Sequence, residues 1–185
     1  KLTQKEINKI IENHKHWLNE DVDGWDNMKA NFSNQDLSYA NLRGANLHGV
    51  DLGGADLSYA NLSGANLSGA NLSNANLCYA DLSYANLRYA NLRYANLRYA
   101  DIRYANIHCA NLRFANLSGA NLSYANLRYA DLSYANLRDA DIRCANFSNA
   151  DLSGTKNMMY IPMACPEEGS FIGFKKAVYA GKNYI

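Results

Sequence analysis

The central part of the chain repeats a pattern of small apolar, polar and large apolar residues every five positions. Residues 30–154 divide without insertion or deletion into 25 units of five. The third residue of every unit is apolar, with 20 Leu, 3 Ile and 2 Phe, and the first is Ala in 23 units. The second residue is always Asn or Asp. One apolar pattern therefore extends over about two thirds of the chain.

A period of five excludes the two common secondary structures. Five residues advance an α-helix by about 500°, so the third-position side chains would not share one face. On a flat strand, successive third positions would point to opposite faces because five is odd. The first and third residues can point inward together only if the chain turns once in every unit. The pattern therefore predicts a β-solenoid with Ala and Leu inside and the other three positions outside.

Residues 1–29 lack the repeat and predict a helix. Thr3 and Glu6 form a capping-box pattern, which predicts a helix from residue 4 to 18. Its apolar face consists of Ile7, Ile10, Ile11, Trp17 and Leu18. Because an open solenoid end exposes core and strand edges, we interpret residues 1–29 as an N-terminal cap over the first coil at Phe32. A helix that binds a membrane or a partner is the alternative.

Residues 155–185 form the third predicted region. The pattern breaks beyond Leu152, and the apolar residues between 158 and 163 predict a cap over the last coil. The segment FIGFKKAVYAGKNYI predicts a hairpin. The sequence has no initial Met and stops within the last predicted strand, so we expect it to be part of a longer protein.

Charge and cysteine content indicate a cytoplasmic protein. The formal charge is +1, no apolar run approaches the length of a membrane span, and the first residues are too polar for a signal peptide. The four cysteines lie far apart and form no CxxC pair, so we expect reduced thiols.

No catalytic, metal or cofactor site is predicted. The loop from Asn19 to Gly24 resembles the start of a calcium loop, but Ala30 stands where a bidentate Glu is needed. His14 and His16 lie two apart on the predicted helix, which disfavours a shared zinc ion. We therefore predict a protein that is not an enzyme.

Units such as ANLHG, ADLSY, ANLRY and ANLSG resemble those of the pentapeptide-repeat family. The resemblance implies a right-handed quadrilateral β-helix with four units per coil, hence about six coils from the 25 units. His48 and His108 would then lie on one side about 14 Å apart, too far for a nucleophile and base pair. The segment CPEEGSFIGFKK resembles a tail of uncharacterised members from Firmicutes and their phages.

Stacking every twenty residues predicts three aromatic ladders on the surface. They are Tyr39, Tyr59, Tyr79 and Tyr99; Tyr84, Tyr104 and Tyr124; and Tyr94, Phe114 and Tyr134. All nine arginines occupy fourth positions and 11 tyrosines occupy fifth positions. We call the densest set the Tyr/Arg belt. It comprises Arg88, Tyr89, Arg93, Tyr94, Arg98, Tyr99, Arg103, Tyr104, Arg113 and Arg128.

The belt has a structural and a functional interpretation. Stacked rings stabilise adjacent coils, and Arg and Tyr are also enriched at interface hot spots. We predict a non-catalytic scaffold that binds an unknown protein, as a monomer or an end-to-end dimer. Because some family members bind DNA gyrase, the resemblance adds a DNA-topoisomerase modulator as an alternative. Mimicry of DNA and binding of single-stranded nucleic acid are both disfavoured, since residues 30–154 carry nine Arg and nine Asp.

Overall fold

The repeat units stack into a four-sided tower. The computed structural model describes residues 1–156. Parallel β-bridges join the second residues of units that are twenty positions apart in sequence, from Asn31↔Asp51 to Asn136↔Lys156. Each is an isolated bridge and not part of a long strand. One coil therefore contains four units. We number the sides 1 to 4 by their centres in the first coil, which are Phe32, Leu37, Leu42 and Leu47.

Backbone hydrogen bonds hold each coil to the next and close each corner. Leu57 N–H donates to Asn76 O at 2.7 Å, and Asn61 N–H donates to Ala40 O at 2.9 Å. At the corner, Ala60 N–H donates to Leu57 O at 3.1 Å. Because this set recurs along the tower, the narrow core needs no polar side chain to satisfy its backbone.

The core contains the residues that the pattern placed inside. Every third-position residue from Phe32 to Phe147 is at most 5 % exposed. Each such side chain contributes about 1.5–3 kcal/mol of burial free energy before chain entropy is subtracted. The first-position alanines are buried except Ala45 and Ala150, which are partly buried, so the inward placement of Ala and Leu is confirmed.

The fifth residue of each unit adopts a left-handed backbone conformation. Its φ lies between 56° and 68° in all 25 units, although only seven of these residues are Gly. A positive φ at this position is the property of a type II turn, which favours Gly or Asn. Eleven tyrosines nevertheless occupy it. The five-residue pattern alone does not predict this conformation, which costs an L residue about 1–2 kcal/mol.

The second-position Asn and Asp side chains bond to the backbone and to each other. Asn61 Oδ1 accepts the N–H of Ser63 at 3.0 Å, and the same contact recurs in most units. Between coils, Asn66 Nδ2 donates to Asn46 Oδ1, and Asn86 Nδ2 donates to Asn66 Oδ1, each at 3.1 Å. These side chains therefore bond both to the corner of their own unit and to the neighbouring coils.

Three of the serines at the fourth position of a unit are buried and not exposed to solvent. Ser83, Ser123 and Ser133 are buried, whereas the sequence analysis treated every fourth position as outside. Each serine stands one coil away from a fourth-position arginine on its own side of the tower. The interpretation of the fourth position as a uniform surface position is therefore wrong at these residues.

The N-terminal helix α1, Gln4–Asn19, begins at the predicted capping box of Thr3 and Glu6. It lies against the first coil: Ile7 is 1 % exposed within the core. The Gln4 amide donates to Asn41 O and accepts the N–H of Asn41, both at 2.9 Å. A short 3-10 helix, Trp25–Asn27, follows. Within residues 1–156, no helix has the length and apolarity needed to cross a membrane.

Two expectations about the rest of the chain have different outcomes. The predicted cap and hairpin over residues 157–185 lie outside the described residues. Cys78 and Cys109 are free thiols, as expected. Cys144 is disulfide-bonded, so the expectation of reduced thiols is wrong for that residue. Distance along the sequence does not determine which cysteines meet in space.

Candidate interaction surface

The Tyr/Arg belt encircles the tower. Arg88, Arg93, Arg98 and Arg103 belong to four successive units and therefore lie on sides 4, 1, 2 and 3. All four side chains are exposed. The four arginines therefore surround one coil, and one flat partner surface cannot contact all of them.

The three predicted aromatic ladders are present. On side 2, Tyr39, Tyr59, Tyr79 and Tyr99 stack with ring centroids 5.0 Å apart. The ladders on sides 3 and 1 have spacings between 4.9 and 5.1 Å. Most rungs expose about half of their surface. Because neighbouring rungs cover the ring faces, a partner meets mainly ring edges.

Side 4 departs from this arrangement. Cys109 replaces the middle tyrosine, and the ring of His108 lies between the two flanking rings instead. It makes edge contacts with Tyr89 at 6.2 Å and Tyr129 at 5.5 Å between centroids. This cluster was not predicted, although the replacement of a tyrosine by Cys109 is visible in the sequence.

Four belt arginines lie over aromatic rings without a carboxylate partner. The guanidinium carbon of each is 4.8–5.6 Å from the ring centroid of the following tyrosine, and none forms an ion pair within residues 1–156. These residues are Arg88, Arg93, Arg98 and Arg128. Arg113 lies over Phe114, and its Nε is 3.8 Å from Asp131 Oδ2.

Arg103 is bound to an aspartate of its own unit. Its Nη2 donates to Asp101 Oδ2 at 2.6 Å and its Nε donates to Asp101 Oδ1 at 2.8 Å. Arg143 binds Asp141 in the same way. These hydrogen bonds lower the pKa of Asp101 and of Asp141. Arg103 therefore belongs to the belt by position but has its charge compensated.

The unit sequence explains which arginines are paired. Arg103 and Arg143 occur in units whose second residue is Asp, so the carboxylate stands two residues before the guanidinium. Arg88, Arg93, Arg98 and Arg128 occur in ANLRY units, where Asn offers only one acceptor oxygen. That oxygen already accepts the arginine backbone N–H, as in Arg88 N–H to Asn86 Oδ1 at 3.3 Å.

No metal site accompanies the belt. Within residues 1–156, no group of three or more His, Cys, Asp or Glu side chains could hold a metal ion. In the loop that begins like a calcium loop, Asp21 Oδ1 lies 2.8 Å from His16 Nδ1. This hydrogen bond lowers the pKa of Asp21.

Comparison with known proteins identifies the repeat. The family model described as pentapeptide repeats matches residues 28–64, 55–93, 80–119 and 120–156. A pentapeptide repeat protein from the thylakoid lumen of Arabidopsis thaliana is 31 % identical, with a TM-score of 0.54 over 58 % of this chain and 81 % of its own. None of the curated proteins matches the chain.

Two further solved structures are similar in sequence pattern. HetL, a pentapeptide repeat protein involved in heterocyst differentiation regulation in the cyanobacterium Nostoc sp. strain PCC 7120, is 38 % identical. The alignment covers 68 % of this chain and 65 % of HetL, with a TM-score of 0.28. QnrB1, a plasmid-mediated fluoroquinolone resistance protein, is 22 % identical over 68 % of this chain and 81 % of its own, with a TM-score of 0.46.

Proposed function

Because the chain belongs to the pentapeptide repeat family, whose members fold as right-handed quadrilateral β-helices, we propose that it is a non-catalytic scaffold that binds a protein through those arginines of its Tyr/Arg belt that have no carboxylate partner. Proteins of this family are generally structural or interaction proteins rather than enzymes. The tower comprises about six coils, and helix α1 closes its first coil. The contacts of Ile7 and Gln4 with that coil support this role of the helix.

The observation that carries the proposal is the set of exposed arginines without carboxylate partners. Arg88, Arg93, Arg98 and Arg128 each lie against a tyrosine ring that is itself held by the tower. Their free N–H groups can donate to a partner without first breaking an internal ion pair. Since stacking restricts the side chains beforehand, binding loses less conformational entropy. Arg and Tyr are the residue types most often found at interface hot spots.

The other candidate functions lack a corresponding surface. Mimicry of DNA requires a strongly acidic surface, but arginines equal aspartates in number over residues 30–154. Binding of single-stranded nucleic acid uses open ring faces and net positive charge. In the described ladders the ring faces are covered by neighbouring rungs.

Affinity capture from source-cell lysate with two matched variants tests the proposal. One variant replaces the unpaired arginines Arg88, Arg93, Arg98 and Arg128 with Gln. The control replaces Arg43, Arg103, Arg138 and Arg143 with Gln, which removes the same charge but includes three ion-paired arginines. We expect the first variant alone to lose the partner, and purified partner must then bind wild type directly. Equal retention by both variants, or equal loss, would refute a role for the unpaired arginines.

A further inference from the structure

Side 4 is the one side of the tower, over residues 30–154, that has no acidic residue. Sides 1, 2 and 3 each carry three aspartates among their repeat units. On side 4 every second-position residue is Asn, and these residues form part of the amide ladder between coils. They are Asn46, Asn66, Asn86, Asn106, Asn126 and Asn146.

The cations of side 4 have no internal anionic partner. Arg88 lies over Tyr89 with 5.4 Å between guanidinium carbon and ring centroid, and Arg128 lies over Tyr129 at 5.6 Å. Neither arginine forms an ion pair with any residue from 1 to 156. The two residues are forty positions apart, which is two coils or about 10 Å by the strand spacing. His108 occupies the coil between them.

We propose that side 4 binds an acidic segment of a protein partner that presents two carboxylates about 10 Å apart. This inference rests on the proposed function and assigns the chemistry of the partner. A guanidinium donates in a planar fork that fits a carboxylate with two hydrogen bonds. In a polyproline II conformation, which has three residues per turn, residues three apart lie on the same face about 9 Å apart, so a segment with Glu at every third position fits Arg88 and Arg128 together.

The geometry favours a carboxylate segment over a nucleic acid strand. Bases stack on open ring faces, but Arg88 lies over the ring of Tyr89 and Arg128 over that of Tyr129, while His108 contacts both rings. Two arginines can neutralise two carboxylates. They cannot neutralise the continuous charge of a strand, and the nine Arg and nine Asp of residues 30–154 leave no surplus to add.

Side 3 supplies a matched control within the same molecule. Arg103 and Arg143 also occupy fourth positions and are also two coils apart. Each already forms a two-point pair with an aspartate of its own unit. Non-specific electrostatic attraction of an acidic peptide would involve Arg103 and Arg143 as much as Arg88 and Arg128. Specific recognition would involve only Arg88 and Arg128.

Titration of the arginine Nε–Hε NMR signals of the full chain tests this inference. The probe is a synthetic peptide of four Glu-Gly-Gly repeats, with four Gln-Gly-Gly repeats and a twelve-nucleotide oligothymidine as comparisons. We expect the acidic peptide to shift the Arg88 and Arg128 signals first. The variant Arg88→Gln/Arg128→Gln should bind it at least tenfold more weakly, and Arg103→Gln/Arg143→Gln within twofold of wild type.

A second variant retains every arginine. Asn86→Asp/Asn126→Asp converts two ANLRY units to ADLRY, so Arg88 and Arg128 should bind their own unit as Arg103 binds Asp101. We expect at least a tenfold loss of peptide affinity with the melting transition retained.

Several results would overturn the inference. They are equal losses from the two arginine pairs, equal binding of the glutamine peptide, tighter binding of the oligothymidine at Arg88 and Arg128, or no shift in wild type. If a partner captured from lysate binds the Arg88→Gln/Arg128→Gln variant as tightly as wild type, the belt keeps its proposed function and only the assignment to side 4 fails.

Discussion

The fifth residue of each unit combines an unfavourable backbone conformation with a favourable side-chain contact. Tyr79 has a φ of 60°, and its ring stacks between those of Tyr59 and Tyr99. Stacked aromatic pairs contribute about 0.5–1.5 kcal/mol beyond burial, so two contacts offset a strain of about 1–2 kcal/mol. Where a ladder is absent, as at Gly44 and Gly64, the position needs no such compensation and glycine occupies it.

Two glycine substitutions separate strain from contact. A Cβ on Gly119 would lie 2.5 Å from Tyr99 Cδ1, whereas one on Gly64 would meet nothing within 4 Å. Their φ values, +68° and +65°, are nearly the same. We expect Gly64→Ala to lower the free energy of unfolding by about 1 kcal/mol, and Gly119→Ala by about 1–3 kcal/mol more.

Urea unfolding measures this difference. In a Tyr99→Ser background, Gly119→Ala should cost no more than Gly64→Ala, because the ring that it meets has gone. Equal losses for the two single substitutions in the wild-type background would show that the ring contact has no energetic effect.

Helix α1 is attached to the tower by a buried histidine. His14 is fully buried, its Nδ1 accepts the N–H of Ala30 at 3.3 Å, and its Nε2 donates to the carbonyl of His48 at 3.0 Å. Both hydrogen bonds require the neutral ring with its proton on Nε2. From the sequence, His14 was weighed only as a metal ligand, because burial between a helix and a coil is not visible in the local pattern.

The attachment of α1 should therefore weaken in acid. Burial lowers the pKa of His14, so the folded chain binds fewer protons than the unfolded chain near that pKa. This contribution is complete above the unfolded pKa of about 6.5 and is lost as the pH falls below it. We expect the loss of stability between pH 7.5 and pH 5 to be smaller in His14→Gln than in wild type.

His16→Gln is the matched control, since His16 lies on the same helix and bonds Asp21 outside the core. It should lose at least as much stability as wild type between the two pH values, measured as the difference in urea midpoint. An unchanged pH dependence in His14→Gln would contradict the role assigned to His14.

Within one coil, inward and outward positions should differ sharply in tolerance. Leu97 is 1 % exposed, so Leu97→Lys places an ammonium group in an apolar core and should abolish the cooperative melting transition. Asn96→Lys, one residue earlier, removes the hydrogen bonds from Asn96 Nδ2 to Asn76 Oδ1 and from the N–H of Arg98 to Asn96 Oδ1, and should cost about 1–3 kcal/mol. Circular dichroism during heating compares the two. A retained transition in Leu97→Lys would contradict the inward placement.

At the scale of the whole molecule, the sequence predicts the features that follow from the twenty-residue register. It does not predict the burial of side chains that depends on the residues of neighbouring coils. Inward Leu97 and the stack of Tyr79 on Tyr99 follow once the coil contains twenty residues. Burial of Ser133 depends on residues of adjacent coils, so the unit sequence alone does not predict it. The ion pair between Arg103 and Asp101 could have been predicted, because the two residues lie in the same unit.

The twenty-residue register also predicts which deletions the tower tolerates. Each coil contacts mainly the coils before and after it, so removing one complete coil should leave every later residue on its original side. Deletion of residues 85–104 brings Tyr124 directly beneath Tyr84 and removes Arg88, Arg93, Arg98 and Arg103. We expect this variant to retain a cooperative melting transition while losing the partner of the belt.

Deletion of residues 85–102 is the control, because it removes almost the same sequence but shifts the later units by two positions. The third-position side chains after the junction could then face inward only if the coil were distorted. We expect this variant to lose the transition in circular dichroism and to be digested rapidly by protease. Similar melting of the two deletions would contradict a fixed twenty-residue coil. Unfolding of the variant lacking residues 85–104 would mean that the tower depends on contacts beyond adjacent coils.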